Sequence, residues 1–172
     1  IACQWAKHLG ATVIGTVSTP EKAELAKAHG CDHVIVYGRE SFVERVKELT
    51  DGAGVPVVYD SVGQDTFTDS LDCLQPRGLM VSFGNSSGAV ESFSPSLLAA
   101  KGSLYLTRPT LATHIRTRED LEMTTNDLFD VISKGVVTVD INQSYSLQNA
   151  QQAHRELEGR KTTGSSVLLT GV

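Results

Sequence analysis

The sequence predicts an α/β fold: a doubly wound parallel sheet with helices on both faces. Two observations carry this prediction. Short β-rich runs alternate four times with helical segments through short links, which is typical of successive βαβ units. The runs TVIGTV (12–17) and VPVVY (55–59) are almost wholly apolar, as expected of strands buried on both faces of a parallel sheet.

Residue patterns set the limits of the elements in the first part of the chain. Apolar residues at helical spacing mark a helix that Gly10 ends, and the lack of a capping residue before Ile1 suggests that the sequence begins inside this helix. Thr19 caps the next helix, Pro20 takes its first turn and Gly30 ends it. The predicted order after the first helix is strand 12–17, helix 19–30, strand 33–37, helix 41–52, strand and loop 55–63, helix 65–74, strand and loop 78–88, and strand 103–107.

The pattern changes after residue 111. A single long helix is predicted over 117–136, with Thr117 as its cap, acidic residues in its first turn, and Lys134 and Gly135 at its end. A strand, a helix and a strand follow at a spacing unlike that of the earlier crossovers. The chain is therefore expected to divide into regions 1–111 and 112–172, with the second region contributing to a different sheet.

Composition excludes several function classes. The 172 residues suit one domain or one domain with part of another, and the net charge of −5 argues against nucleic acid as the main partner. The sequence contains no run of about 18 apolar residues, so it predicts no membrane span. The cysteines and histidines lack metal-ligand spacing, and we interpret the cysteines as reduced packing residues of a cytoplasmic protein, with a disulfide or a catalytic thiol as the alternative. These residues are Cys3, Cys31, Cys73, His8, His29, His33, His114 and His154.

The loops that follow the predicted strands are rich in small, polar and glycine residues. Ligands of open parallel sheets bind outside the carboxyl ends of the strands, where such residues let the backbone come close. We therefore expect a ligand crevice at this edge, although strand-to-helix loops are polar in many folds. The loops are STPEK (18–22), YGRE (37–40), DSVG (60–63), GNSSG (84–88) and RPTL (108–111).

The segment GTVSTPEK (15–22) bears on the choice of cofactor. Dinucleotide-binding folds specific for NAD place an acid after the second strand, whereas this segment has Ser18 there. Lys22 in the first helical turn is mildly unfavourable unless an anion binds beside it. The hydroxyls of Ser18 and Thr19, the helix N–H groups and Lys22 could bind a 2′-phosphate, with Tyr37 adding a hydroxyl or packing on the adenine. The segment favours NADP over NAD, although Glu21 would repel a phosphate and Lys22 could be an ordinary solvated lysine.

Two further motifs have alternative interpretations. Asp60 and Ser61 could supply a catalytic carboxylate, or a carboxylate that binds a ribose as in a methyltransferase. We expect instead that Asp60 caps or orients its loop, as a carboxylate at a strand end commonly does. We interpret Ser86 and Ser87 of GNSSG (84–88) as unlike a nucleophile elbow.

Four segments together carry a family resemblance: YDSVG, CLQPRGLMVSFGNSSGAV, KGSLYLTRPTL and AQQAHRELEGRKTTGSSVLL. They resemble the NADPH-dependent quinone oxidoreductases of the zeta-crystallin-like branch, zinc-independent members of the medium-chain dehydrogenase/reductase superfamily. The likeness covers essentially the whole chain. It implies a Rossmann cofactor domain over 1–111, whose first strand and glycine-rich turn are missing from this sequence, and a segment over 112–172 that belongs to or returns toward a GroES-like catalytic domain.

The resemblance also implies which residues contact the cofactor. The 2′-phosphate would be bound by Ser18, Thr19, Pro20, Glu21 and Lys22, with Lys22 as the cation and Tyr37 beside it. Val62 would lie near the adenosine, and Arg160 would approach from the C-terminal segment. The nicotinamide half would be contacted by Phe83, Gly84, Asn85, Ser86 and Ser87, and its carboxamide by Pro109, Thr110 and Leu111. Family members often have glycine at the Ser18 position, but a hydroxyl there can still donate to phosphate.

The function implied by the resemblance is hydride transfer from NADPH to a quinone or an activated enone. It requires no metal and assigns no catalytic side chain to this sequence, and the fragment alone is expected to be inactive. A homodimer is implied, with the SLYLT strand (103–107) near the interface. The alternative is a non-catalytic nucleotide-binding or RNA-binding module of the same fold, and the acidic composition argues against RNA.

Overall fold

The computed structural model describes residues 1–171, and its elements alternate between helix and strand through most of the chain. In chain order they are α1 (Ala2–His8), β1 (Ile14–Val17), α2 (Pro20–Ala28), β2 (His33–Val36), α3 (Phe42–Leu49), β3 (Val55–Asp60), α4 (Phe67–Asp72), β4 (Leu74–Ser82), α5 (Ser96–Ala100), β5 (Tyr105–Thr107), α6 (Leu111–His114), α7 (Arg118–Ser133), β6 (Ile141–Ser146), a 3₁₀ turn (Leu147–Asn149), α8 (Ala150–Glu158) and β7 (Ser165–Leu169).

All strand pairs in the described chain are parallel, which confirms the predicted α/β class with parallel sheets. The strands form three sheets, in the orders β1-β2, β3-β4-β5 and β6-β7. The sequence predicted one sheet for region 1–111, whereas these residues form two. Within residues 1–171, β1 and β3 each have one edge without a hydrogen-bonded strand, so no ladder joins the two sheets.

The larger core cluster lies on one face of β3-β4-β5. Phe67 and Leu71 of α4 pack against Leu74 and Met80 of β4 and against Leu104, which precedes β5. Leu71 and Met80 are completely buried. A buried leucine or methionine truncated to alanine typically costs about 2–5 kcal/mol, so this cluster fixes the position of α4 on the sheet.

A second cluster joins the two sheets of the first region. Ile35 of β2 and Val46 of α3 pack with Cys73, and Val58 of β3 lies against the same cluster. Burial raises the pKa of the Cys73 thiol to about 12, so this cysteine behaves as a packing residue rather than a nucleophile. All three cysteines carry free thiols.

One expectation about β3 is wrong. The apolar run predicted a strand buried on both faces, but the Val57 side chain is 39% exposed and Tyr59 is 74% exposed. Side chains alternate along a strand, and Val58 packs against both core clusters, as does Val55 at the start of β3, before the irregularity that separates it from Val57. The opposite face of β3 is therefore open in the described chain.

The helix caps agree with the sequence, while several element ends do not. Thr19 accepts a hydrogen bond from the Lys22 N–H, and Thr117 forms a capping box with Asp120. The long helix ends at Ser133, earlier than predicted, and β4 begins at Leu74 rather than at residue 78. The short helices α5 and α6 were not predicted, because four or five residues carry too little of the helical period to detect.

The segment after α7 is attached to the first two helices. The side-chain amide of Gln4 donates to the Thr138 carbonyl at 3.2 Å, and the Thr138 N–H donates back to the Gln4 oxygen at 2.6 Å. These bonds place the start of the β6–α8–β7 unit beside α1. Within residues 1–171 no helix combines the length and the apolar character needed to cross a bilayer.

Candidate functional site

The carboxyl ends of β1 and β2 lie side by side. Val17 pairs with Val36 in the parallel ladder, and the Tyr37 N–H donates to the Val17 carbonyl at 3.1 Å. This register places Tyr37 beside Ser18, the first residue after β1. Two loops that are 19 residues apart in the sequence therefore form one surface at the N-terminus of α2, as the sequence predicted.

The N-terminus of α2 already attracts negative charge. The Glu21 carboxylate accepts a hydrogen bond from the Thr19 hydroxyl and another from its own backbone N–H, and both lower its pKa. The Arg39 guanidinium lowers the pKa of Glu21 further. A carboxylate is thus held ionised where the helix dipole and its free N–H groups favour an anion. These are the groups from which the sequence predicted phosphate binding.

Lys22 and Arg160 meet at this surface. The Lys22 Nζ donates to the backbone carbonyl of Arg160 at 3.3 Å, across a sequence separation of 138 residues. Arg160 adopts a left-handed backbone conformation with φ of 56°, which turns the chain after α8. The fold therefore brings the Lys22 ammonium to the backbone of Arg160, the second cation that the sequence analysis placed on the cofactor. We name Ser18, Thr19, Lys22, Tyr37 and Arg160 the basic group.

A second group forms where the loops after β3 and β4 interlock. The Ser87 N–H donates to the Val62 carbonyl at 2.9 Å, and the Ser87 hydroxyl donates to the same oxygen at 2.9 Å. The Ser87 Oγ also accepts from the Asp65 N–H at 3.0 Å. The Ser87 side chain thus holds the two loops together. Its role is to shape the predicted nicotinamide loop.

The first residues of the loop over 83–87, where the sequence predicted nicotinamide contacts, require close backbone approach. A Cβ on Gly84 would lie 2.4 Å from the Ser61 carbonyl oxygen, so no larger residue fits without displacing a loop. The Ser86 N–H donates to the same carbonyl at 3.2 Å. Phe83 is half exposed and forms an edge-to-face pair with Tyr59, with ring centroids 6.4 Å apart. The loop thus combines fixed backbone with an exposed aromatic surface.

Asp60 orients the loop after β3. Its buried carboxylate accepts from the N–H groups of Val62 and Gly63 at 2.7 and 3.0 Å and from the hydroxyls of Thr66 and Ser70, both at 2.7 Å. Burial works to raise the pKa of Asp60, but these four hydrogen bonds together hold it below its ordinary value. The structure supports the predicted orienting role, because all four bonds are made within the loop and α4.

The third predicted segment lies at the same sheet edge. Residues 109–111 follow β5, whose Thr107 pairs with Val81 of β4, so they leave the sheet beside the strand that leads to Phe83. In the described chain their hydrogen bonds stay local, from Arg108 to the Pro109 carbonyl and between Thr110 and Thr113. The hydrogen bonds of residues 1–171 therefore join the predicted site residues in two groups and leave 109–111 separate from both.

Sequence reasoning missed two contributors. Arg39 acts on Glu21 from the loop that begins with Tyr37, and a cation in that loop was a signal that could have been used. His29 pairs with Asp140 at 2.7 Å, and their sequence separation of 111 left no local signal. No three His, Cys, Asp or Glu side chains of residues 1–171 lie close enough together to hold a metal ion.

A cavity of about 540 Å³ borders the basic group. It lies between α1, α2 and the segments that begin β6 and β7. Val17 and Lys22 line it on one side, and Asp140 and Thr162 line it on the other. Lys22 therefore faces both the Arg160 carbonyl and a space large enough for part of a nucleotide.

Comparison with known proteins places the chain among dehydrogenase sequences. A family profile described as "zinc-binding dehydrogenase" matches residues 1–134. The quinone oxidoreductase of Pseudomonas aeruginosa is 55% identical over 168 residues, and quinone oxidoreductase 1 of Escherichia coli is 57% identical over 171 residues. Each match covers 98% of this chain and 52% of the relative. The 2-haloacrylate reductase of a Burkholderia species is 46% identical, with 98% and 51% covered.

Solved structures share the fold. The crystal structure of Escherichia coli quinone oxidoreductase complexed with NADPH superposes with a TM-score of 0.94 at 57% identity, covering 98% of this chain and 52% of that one. The present chain thus spans about half the length of the curated relatives and solved structures that it matches.

Proposed function

Because the chain belongs to the zinc-binding dehydrogenase family, we propose that it binds NADPH along the carboxyl edge of its parallel strands. The observation that carries this proposal is the hydrogen bond from Lys22, at the N-terminus of α2, to the backbone of Arg160, because it places an ammonium beside a segment that carries a second cation. A solved relative in complex with NADPH supports the choice of cofactor.

The residues of the basic group fit a phosphate chemically. Lys22 spends one of three ammonium donors on the Arg160 carbonyl, so two remain for phosphate oxygens. The Thr19 hydroxyl and a helix N–H bind a carboxylate in the free chain, and the same donors suit a phosphate oxygen. Glu21 has to turn away on binding, and its exposed position allows this. Ser18 and Tyr37 then complete the proposed phosphate-binding site.

The loops after β3, β4 and β5 would position the reactive half of the cofactor. When bound, NADPH supplies a hydride from its nicotinamide ring. Close packing of Gly84 on Ser61 fixes the backbone that would lie under this ring. Phe83 presents an apolar side chain there, and residues 109–111 would approach the carboxamide. The contribution of this chain is therefore orientation, with the geometry set before binding.

For the complete protein we propose hydride transfer to a quinone or to an activated alkene such as an enone. The names of the relatives support both: two are quinone oxidoreductases and one is a 2-haloacrylate reductase. The hydride and one proton from solvent reduce either acceptor by two electrons. The buried carboxylate nearest the nicotinamide loop is Asp60, whose four hydrogen bonds leave it ionised, so this proposal assigns it no proton transfer.

A direct assay tests this function. The absorbance of the reduced nicotinamide is followed in the absence of oxygen while the full-length protein is mixed with benzoquinone, an α,β-unsaturated ketone or 2-chloroacrylate. We expect oxidation of NADPH with at least one acceptor class. Tight NADPH binding without oxidation by any of the three would contradict the enzyme and favour the non-catalytic nucleotide-binding module.

Two further proposals concern assembly. Region 112–172 would return toward a second, GroES-like domain that completes the substrate pocket. The protein would be a homodimer that pairs through β5, whose outer edge has no hydrogen-bonded strand among residues 1–171 and whose Tyr105 is exposed. Sedimentation of the full-length protein should then give the mass of two chains, and the mass of one chain would contradict this pairing.

A further inference from the structure

We propose that His29 positions the C-terminal segment carrying Arg160 and thereby makes recognition of the 2′-phosphate depend on pH. This inference rests on the proposed NADPH site. It concerns the opposite end of α2 from the basic group, and it gives a role to a histidine that the sequence analysis treated as a surface or structural residue.

Both ring nitrogens of His29 face acceptors. Nδ1 lies 2.7 Å from the Leu25 carbonyl oxygen, and Nε2 lies 2.7 Å from a carboxylate oxygen of Asp140. Neither partner can donate a proton when Asp140 is ionised, so both bonds are complete only if the ring is an imidazolium. The bond to the Leu25 carbonyl and the bond to Asp140 raise the pKa of His29, while partial burial works in the opposite direction.

One face of α2 holds the C-terminal segment at two points. Lys22 and His29 are seven residues apart, which is about two helical turns, and both line the cavity beside α2. Lys22 bonds to the Arg160 carbonyl, and His29 bonds to Asp140. The Asp140 carbonyl also accepts from the Ser165 N–H at 2.7 Å, which ties the start of β6 to the start of β7. Loss of the His29 contact would therefore loosen the attachment of the C-terminal segment, which carries Arg160, to α2.

Few charged groups face the His29 ring. On its own helix the charged group is Lys22, and on the C-terminal segment it is Asp140. The remaining side chains that line the cavity are uncharged. Asp140 is thus the carboxylate on which the imidazolium depends, and the His29 contact is an ion pair only while the ring is protonated.

The sign of the pH effect follows from the direction of the shift. A histidine whose pKa is raised in the folded state contributes fully below its ordinary pKa of about 6.5 and loses the contribution as the pH rises through the folded value. The ion pair is partly exposed, and exposed ion pairs contribute only a small free energy. If that free energy is expressed in cofactor binding, it corresponds to about a threefold change in affinity. The contribution of His29 to binding of the 2′-phosphate should be lost by this factor between mildly acidic and alkaline pH.

The test compares the full-length protein with His29→Gln, which keeps a donor toward Asp140 but does not titrate. Calorimetric titrations with NADPH and NADH are made at about pH 6 and about pH 9. At the lower pH the unmodified protein should bind NADPH about threefold tighter than the variant, and at the higher pH the two should agree. NADH should not distinguish them. The phosphate itself ionises near pH 6, but comparison at the same pH removes that contribution.

His154→Gln is the matched control, because His154 is an exposed histidine on α8 without a side-chain hydrogen bond among the described residues. It should bind both cofactors as the unmodified protein does. Equal NADPH affinities of His29→Gln and the unmodified protein at both pH values would overturn the role of His29. If no protein prefers NADPH at either pH, the proposed cofactor site fails instead.

An NMR titration keeps the inference testable if the variant does not fold. The imidazole signals of His29 are followed with pH in the unmodified protein without cofactor. His29 should titrate above the ordinary histidine pKa of about 6.5. Titration at or below that value would overturn the ion pair to Asp140, whatever the cofactor preference proves to be.

Discussion

Lys22 donates a hydrogen bond to the backbone carbonyl of Arg160 at 3.3 Å, although 138 residues separate them in the sequence. The bond joins an ammonium at the start of α2 to the backbone of a residue that follows α8 and carries a guanidinium. A backbone carbonyl carries no net charge, so the positive charges of both side chains remain available to an anion. This relationship is the structural basis of the proposed 2′-phosphate site.

Replacement of Lys22 by alanine should weaken NADPH binding roughly tenfold, as expected for one charge-assisted hydrogen bond. NADH has no 2′-phosphate, so its affinity should stay the same. Titration calorimetry with both cofactors measures the difference. Lys27→Ala is the matched control, because Lys27 lies on the same helix and pairs with Glu24 away from the site. An equal loss for both cofactors would show that Lys22 acts on the fold alone.

Replacement of Glu21 by glutamine should increase the preference for NADPH over NADH. The ionised carboxylate occupies donors that the phosphate needs and repels the phosphate as it approaches. Glutamine keeps the size of the side chain and removes its charge. Glu24→Gln, one turn further along the helix, should change the preference much less. An unchanged ratio of the two affinities in Glu21→Gln would place the phosphate away from the N-terminus of α2.

The composition of the basic group was largely predictable from the sequence, whereas its assembly was not. Local rules identified the helix N-terminus, since the Thr19 cap and Pro20 are adjacent in the chain. Only the family resemblance pointed to Arg160, because a contact across 138 residues leaves no periodic or motif signal. The pairing of His29 with Asp140 was missed for the same reason, and here the resemblance offered no help.

Replacement of Asp60 by asparagine should lower the free energy of unfolding by about 3 kcal/mol. The NH₂ group of the asparagine would replace one carboxylate oxygen and face N–H or O–H donors. Some of these buried donors would then lack a hydrogen-bond acceptor. Thermal or urea unfolding at neutral pH measures the loss. Asp127→Asn, which changes an exposed carboxylate on α7, should cost less than about 0.5 kcal/mol. Equal stabilities of the two variants would contradict the assigned hydrogen bonds.

The same carboxylate sets a pH dependence. Because the pKa of Asp60 is lowered in the folded state, its contribution is present above the ordinary value of about 3.9 and is lost as the pH falls through the folded value. The difference in stability between the unmodified protein and Asp60→Asn should therefore shrink in acid below about pH 4. A difference that stays constant down to that pH and below would mean that folding does not lower the pKa of Asp60.

Replacement of Gly84 by alanine should weaken NADPH and NADH equally. The new Cβ would lie 2.4 Å from the Ser61 carbonyl oxygen, so the nicotinamide loop or its neighbour must move. Both cofactors contain the nicotinamide half, whereas only NADPH has the 2′-phosphate that Lys22 is proposed to bind. Gly171→Ala is a suitable control, because a Cβ there meets no atom within 4 Å. Unchanged binding of both cofactors by Gly84→Ala would separate the loop from the cofactor.

The fold class followed from local pattern, while the division into sheets did not. Alternating elements and short links predict parallel strands, and every described strand pair is parallel. Which strands are hydrogen-bonded depends on edges such as those of β1 and β3, and an apolar run does not show whether both of its faces are covered. Tyr59 illustrates this limit, since it belongs to an apolar run and yet is mostly exposed.

The most direct test of the proposed cofactor site is a pair of titrations of the full-length protein with NADPH and NADH under the same conditions. The arrangement of Lys22, Arg160 and the α2 N-terminus predicts tighter binding of NADPH, by roughly tenfold or more. Equal affinities, or tighter binding of NADH, would contradict the assignment of this surface to a 2′-phosphate.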